Sequence, residues 1–415
     1  MLQRFRFTLG AGEAAWLGAG YLLALSSSFG QTFFISLSGG ALRQLLDLSH
    51  GGFGGLYTIA TAGSALVMLW AGGLADRPRL GPFAVWMLLG LVLACLTMAT
   101  TASVWQLLLA LFLLRVFGQG MLSHVGMTAM ARWFERRRGR AISIASLGYP
   151  SGEALLPSLA VIVIALAGWR SLWFGAAVAL TLFALPLLRF LMRHEPLDQA
   201  ATAQAGSGAH LATSEWTRSQ VFRDPLFLLL LPGIVAVSFM ITGVFFHQVL
   251  LVEIKGWSLS WWAASYPVYA VVTVASSLTA GWIVDRWSCK VLLGPYLLPM
   301  GLAFLLLSSG SSAGLALVFM LLAGFTTGAN MVLMTALWAE LYGTRHIGAI
   351  RGLVLGALVS ASAASPGIMG WLVDVGVGLD RQFSAFGLYT FAVSLLFIGL
   401  VRFHPRLSRP AKSCE

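Results

Sequence analysis

Residues 57–77 read YTIATAGSALVMLWAGGLADR, and residues 266–286 read YPVYAVVTVASSLTAGWIVDR. Both are apolar stretches that end in Asp-Arg, so two distant parts of the chain repeat one pattern. When the same residue spacing relates several separate regions of a chain, the chain is expected to consist of two homologous halves joined by a linker. The offset of 209 residues pairs Tyr57 with Tyr266, Gly72 with Gly281, Asp76 with Asp285, Arg77 with Arg286, Gly139 with Gly348 and Pro157 with Pro366.

The composition places these halves in lipid. Of the 415 residues, 58% are hydrophobic and only 10% are charged, whereas a soluble chain carries about 25% charged residues. In lipid the backbone must satisfy its own hydrogen bonds, as helices or as a closed barrel. The apolar runs are long and unbroken rather than alternating, which favours helices. The fold class is therefore an all-α membrane protein.

Twelve apolar runs are long enough to cross a bilayer, which takes about 20 residues each. A polar segment, 193–224, separates the sixth run from the seventh and is typical of a linker. The domains predicted are a six-helix bundle over 1–192, the linker over 193–224, a second six-helix bundle over 225–403 and a tail over 404–415. The runs are 14–42, 51–75, two within 80–131 split at 100–103, 141–168, 171–188, 225–252, 257–284, two within 291–339 split at 308–312, 352–373 and 382–401.

Basic residues alternate with the predicted spans. With both termini in the cytoplasm, 21 of the 26 Lys and Arg fall inside and 4 fall outside, while Arg115 lies within the membrane. This distribution follows the positive-inside rule, by which cytoplasmic loops carry an excess of Lys and Arg. It predicts a multi-pass protein of the cell inner membrane and assigns the net charge of +11 to cytoplasmic loops rather than to nucleic-acid binding. The three cysteines follow no metal-ligand spacing.

Four motifs resemble those of the major facilitator superfamily. Gly72–Arg77 is similar to the family's loop motif between its second and third helices, and Gly281–Arg286 is a degenerate copy. Arg115–Gly120 resembles the fourth-helix motif, and Ala131–Ala141 resembles the following loop of oxalate/formate-type and monocarboxylate-type carriers. The resemblance implies two pseudo-symmetric six-helix bundles that carry a solute by rocker-switch alternating access.

Two charged residues lie deep in predicted spans. Arg115 and Glu153 each lie about eleven or twelve residues into the fourth and fifth spans, ~17 Å deep. Charges at that depth are costly and usually functional. One interpretation is that Arg115 attracts an anionic solute and Glu153 carries the coupling proton. The other is a permanent ion pair that pins the two helices together.

Further candidates for substrate binding or coupling are His247, Gln31, Phe34 and Gln119. His247 is near the outer end of the seventh span, and Gln31 and Phe34 have a comparable place in the first. In the family that the chain resembles, the first and seventh helices line the cavity. His247 can titrate near neutral pH. The alternative for His247 is a solvated histidine at the mouth.

The Asp-Arg motifs predict a gate. The resemblance implies that Gly72, Asp76 and Arg77, with Gly281, Asp285 and Arg286, latch the cytoplasmic face, since an acidic side chain suits a helix N-terminus. The alternative is a solvated turn that carries positive-inside charge.

We therefore expect a secondary transporter of a small solute, with an organic anion as the leading class and with coupling to protons. The alternative is proton-coupled efflux of hydrophobic or cationic compounds. No nucleophile, metal cluster or phosphate-cradling loop is evident, so we expect neither an enzyme nor a cofactor. The expected partners are the substrate, the lipid bilayer and possible coupling protons, and we expect a monomer.

Overall fold

The computed structural model describes residues 11–71, 79–134, 137–193, 216–343 and 345–408. Within these ranges the secondary structure is entirely helical. Gly72, Asp76 and Arg77 of the first loop motif lie outside the described residues, as do residues 194–215 of the predicted linker and 409–415 of the tail. In the described part, eight helices are long and apolar enough to cross a membrane by length and composition.

In the described residues of the N-terminal half there are ten α-helices, and the first span is broken. After α1 the chain makes 3-10 turns at Ser27–Gly30 and Ser36–Ser38. Two π-helical segments, Leu114–Leu122 and Leu180–Ala184, continue α6 and α9. The α-helices are α1 (Ala11–Ser26), α2 (Thr32–Ile35), α3 (Gly39–Leu46), α4 (His50–Ala71), α5 (Leu80–Ala99), α6 (Val104–Leu113), α7 (Ser123–Trp133), α8 (Arg138–Ser146), α9 (Gly148–Ala179) and α10 (Leu185–Leu191).

The described part of the C-terminal half contains ten more, and a 3-10 turn at Pro295–Leu297 precedes α16. They are α11 (Arg218–Phe222), α12 (Pro225–Phe246), α13 (Gln248–Lys255), α14 (Leu259–Arg286), α15 (Cys289–Leu293), α16 (Leu298–Ser309), α17 (Gly314–Tyr342), α18 (Ile347–Asp374), α19 (Leu379–Phe403) and α20 (Pro405–Ser408).

The breaks predicted inside long apolar runs occur where polar residues can end a helix. Ser103 caps α6 by accepting a hydrogen bond from the Gln106 amide at 3.3 Å. The serine-rich stretch 308–312 separates α16 from α17, as predicted. The fifth and sixth spans share α9, whose backbone turns at Gly168 with φ of 81°, a conformation that favours glycine.

The chain divides into two compact units. Unit 1 comprises Met1–Ser38 and Ala60–Gly208, and unit 2 comprises Gly39–Ile59 and Ala209–Glu415. Segment Gly39–Ile59 thus packs with the C-terminal half although it belongs to the N-terminal half in sequence. Helix α4 contributes to both units, because it begins at His50 and continues to Ala71.

Candidate functional site

The helix of the first span is interrupted inside unit 1. The 3-10 turn at Ser27–Gly30 is followed by Gln31 in an extended conformation, and α2 begins at Thr32. Gly30 packs directly on Leu114 and Gly118, and a Cβ at Gly30 would overlap the Leu114 carbonyl oxygen. Only glycine permits this approach, so the break lies against the segment that carries Arg115.

Arg115 and Gln119 both lie on the π-helical segment Leu114–Leu122. π-Helical turns are rare and frequently occur at functional sites. The Arg115 side chain is buried, with 4% of its surface exposed, and its Nη1 donates to the Gly30 carbonyl at 3.4 Å. Gln119 is half-buried, and its Oε1 accepts no hydrogen bond from any described residue.

A chain of hydrogen bonds joins three spans of unit 1. Gln31 Nε2 donates to the Tyr149 hydroxyl oxygen at 3.0 Å, and the Tyr149 hydroxyl donates to Ser123 Oγ at 3.1 Å. Gln31 was predicted from the sequence, but Tyr149 and Ser123 were not. A signal for Tyr149 existed, because it lies four residues before Glu153, on the same face of a helix.

Glu153 lies one turn beyond Tyr149 on α9 and is half-buried. Its helical face differs from that of Leu155 and Leu159, whose exposed side chains face the surroundings of unit 1. Its carboxylate has no hydrogen bond or ion pair with any residue in the described ranges. The structure therefore contains no Arg115–Glu153 ion pair, and the pinning interpretation finds no support in it.

Phe34 lies in the aromatic core of unit 1 rather than in a polar environment. It is 1% exposed, and its ring meets the edges of Phe29 and Trp173, with centroid distances of 5.1 and 5.2 Å. Packing of this kind stabilises a helix bundle. In this structure Phe34 is a packing residue, and its role in substrate binding stays a prediction.

His247 belongs to unit 2 and follows the last residue of α12. Its side chain is 4% exposed, and Nε2 lies 3.1 Å from the Pro366 carbonyl oxygen on α18. The ring is thus enclosed rather than solvated at a mouth. In this structure it links α12 to α18.

The second Asp-Arg motif ends α14 with exposed side chains. Asp285 forms no hydrogen bond or ion pair with the described residues, and the Arg286 guanidinium lies 5.9 Å from the ring centroid of Trp287. Gly281 has open space where a Cβ would be. The first motif is outside the described residues, so the latch stays a prediction.

The geometry of unit 1 brings together Arg115, Gln119, Gln31, Tyr149 and Ser123 across broken and π-helical segments, with Glu153 one turn from Tyr149. The sequence profile of the Major Facilitator Superfamily matches residues 20–366. The chain belongs to the major facilitator superfamily.

Curated relatives of this superfamily member are transporters. It is 26% identical over 337 residues to monocarboxylate transporter 12 of Rattus norvegicus, which covers 74% of the chain and 68% of the relative. It is also 26% identical over 268 residues to the MFS transporter asaE of Aspergillus flavus, with 63% and 58% coverage. The chain is thus a multi-pass membrane transporter rather than an enzyme.

Solved structures of superfamily members share the fold. A bacterial homologue of the human lysosomal transporter Spinster, in an inward-facing and occupied conformation, matches with a TM-score of 0.73 and 16% identity over 97% of this chain and 100% of that one. The nucleoside transporter NupG matches with a TM-score of 0.70 and 12% identity over 94% and 100%. These likenesses agree with the predicted fold of two six-helix bundles.

Proposed function

We propose that this superfamily member transports a small organic anion of the monocarboxylate class by rocker-switch alternating access, coupled to protons. The observation that carries the proposal is that unit 1 contains a buried arginine and, on another span, a carboxylate with no partner among the residues that the structure describes. The similarity to monocarboxylate transporter 12 supports the same substrate class.

Arg115 is the proposed anion-recognising residue. A guanidinium stays charged and offers a planar array of donors that matches a carboxylate. A charge within a membrane span is costly and usually functional. Its contact with the Gly30 carbonyl fixes part of the guanidinium beside the break in the first span, so an anion bound there would lie next to Gln31.

Glu153 is the proposed proton carrier. An ionised carboxylate at mid-depth costs ~2.5–3.5 kcal/mol on insertion scales, and Glu153 has no described partner that offsets this cost. Taking up a proton removes the charge. The hydrogen bonds that fix Tyr149 between Gln31 and Ser123 hold a hydroxyl one turn away, where the state of Glu153 can influence the anion site.

Uptake into proteoliposomes tests the proposal. We expect labelled lactate, pyruvate or acetate to accumulate when the outside is more acidic, and an uncoupler to abolish the accumulation. Arg115→Gln should reduce carboxylate uptake by at least about tenfold, a loss of ~1.4 kcal/mol in transition-state or binding free energy. Glu153→Gln should abolish accumulation driven by the pH gradient while carboxylate exchange across the membrane continues.

A matched control is Arg402→Gln, which removes an exposed arginine at the end of α19 and should leave uptake unchanged. Carboxylate uptake that survives Arg115→Gln would contradict the anion assignment. Export of amphipathic cations that Glu153→Gln abolishes would instead support the efflux alternative.

A further inference from the structure

Asp374, the last residue of α18, binds the N-terminus of α4. The His50 amide donates to Asp374 Oδ1 at 3.1 Å, and the Gly51 amide donates to Oδ2 at 2.8 Å. These amides are among the first of α4 and have no partner inside their own helix. The carboxylate therefore caps a helix that is 324 residues away in sequence, with the charge that a helix N-terminus prefers.

Glycines let α4 and α18 approach until their backbones touch. A Cβ at Gly51 would lie 2.6 Å from Asp374 Oδ2. A Cβ at Gly54 would overlap the Pro366 carbonyl, and one at Gly370 would overlap the His50 carbonyl. The antiparallel pairing of these positions extends the contact beyond the cap, as small residues do between membrane helices.

Two more kinds of contact hold segment Gly39–Ile59 against α12 and α18. Thr58 Oγ1 donates to the Ala363 carbonyl at 2.7 Å, one helical turn beyond the glycines. On α12, the Phe246 ring stacks on Phe53 with a centroid distance of 5.0 Å and lies 4.8 Å from the ring of Tyr57. Segment Gly39–Ile59 is thus held within unit 2 by a cap, close backbone packing, a hydrogen bond and aromatic contacts.

Helix α4 crosses the boundary between the two units, so the contacts of its first half with α12 and α18 affect how the helix can move. Residues of α4 up to Ile59 belong to unit 2, and those from Ala60 onward belong to unit 1. The helix is continuous across this boundary and contains no proline. A change in the relative position of the units must therefore bend α4 or release Gly39–Ile59 from α12 and α18.

We propose that Asp374 is a latch that holds segment Gly39–Ile59 on unit 2, and that transport requires this latch to open. The proposal rests on the alternating-access part of the proposed function. Opening separates Asp374 from the α4 amides and leaves the carboxylate to water. The glycine seam has no such charge, so Asp374 sets how readily the segment detaches.

Distance measurements between spin labels test the latch without any substrate. The labels are placed at Leu45→Cys and Val375→Cys, both exposed in the described structure. Cys414→Ser removes one background thiol, while Cys95 and Cys289 are buried. The otherwise unaltered protein should give one dominant distance. Asp374→Ala should raise the population of a longer distance several-fold, and Asp374→Asn, which keeps one acceptor oxygen, should have an intermediate effect.

Asp47→Asn is the matched control, because it removes an exposed acidic charge close to the start of α4. Asp47 has a φ of 50°, which asparagine also adopts readily. This variant should keep the distances of the parent protein. An unchanged distribution in Asp374→Ala, or an equal change in Asp47→Asn, would overturn the proposal.

Gly51→Ala provides a second route if Asp374→Ala fails to fold. Its Cβ would push against Asp374 Oδ2, so it should lengthen the same distance. Unchanged distances in a folded Gly51→Ala protein would also count against the latch. Failure of carboxylate uptake would overturn the proposed substrate and leave these distances as they are, so the two proposals fail separately.

Discussion

The seam between α1 and α9 in unit 1 and the seam between α12 and α18 in unit 2 occupy equivalent places in the duplicated sequence but are built differently. In unit 1, Gly148 and Gly152 bring α9 against the backbone and small side chains of the first span. In the described residues, unit 1 adds a side-chain hydrogen bond between these spans, from Gln31 to Tyr149, whereas unit 2 has three contacts that side chains make. Ser238 donates to the Leu358 carbonyl at 3.1 Å, Thr242 and Ser362 share a 2.9 Å hydrogen bond, and His247 meets the Pro366 carbonyl.

The contrast is sharpest at one pair of positions. Glu153 and Ser362 are related by the 209-residue offset. Ser362 has a partner in Thr242, while Glu153 has none among the described residues. One half therefore uses this position to join two helices, while the other has an acidic residue there with no hydrogen-bond or ion-pair partner among the described residues. This difference is what the proposed role of Glu153 as a proton carrier predicts, because acidic residues within membrane spans are usually functional.

Exchanging these residues between the halves should have the largest effect. Ser362→Glu puts a carboxylate into a packed seam and should cost ~3 kcal/mol, seen as a clear fall in melting temperature in detergent. Glu153→Ser removes a carboxylate that has no described partner, so the melting temperature should stay the same or rise. A large loss of stability in Glu153→Ser would show that Glu153 stabilises the fold, which would contradict the proposed difference between Glu153 and Ser362.

Adding a methyl group to each seam should have a smaller and unequal effect. A Cβ at Gly148 would overlap the Tyr21 carbonyl and approach the Leu25 amide, which are backbone atoms. A Cβ at Gly243 would overlap only side-chain atoms, those of Met369 and Ser365, which can shift more readily than a backbone. Gly148→Ala should therefore cost ~1–3 kcal/mol. Gly243→Ala should change the melting temperature little, and equal losses would contradict a backbone-built seam in unit 1.

Much of the fold could be predicted from the sequence, because crossing a bilayer imposes a length and a polarity on each helix. The breaks at 100–103 and 308–312 are visible as polar clusters. Arg115 and Glu153 stand out for the same reason, since a charge in an apolar run is conspicuous.

The contacts between helices could not be predicted this way, because they depend on which faces meet. Nothing in the sequence shows that Tyr149 forms hydrogen bonds with Gln31 and Ser123, because these residues lie on other spans. From the sequence, Asp374 is only an acidic residue at the end of a span, whereas in the structure it caps α4. Phe34 occupies the predicted span, but its neighbours Phe29 and Trp173 enclose it. Hydropathy reports depth in the membrane and carries no information about these partners.

The smallest expected effect concerns the hydrogen bond between Thr242 and Ser362, and it separates a side-chain seam from simple close packing. Thr242→Val keeps the shape and leaves the Ser362 hydroxyl without this partner, so it should cost ~1 kcal/mol. Ser362→Ala should cost a similar amount. Because replacing both partners can be nearly neutral, the double variant should be more stable than the sum of the single losses predicts. Strictly additive melting-temperature changes would mean that the hydrogen bond contributes nothing to the unit 2 seam, which would then resemble that of unit 1.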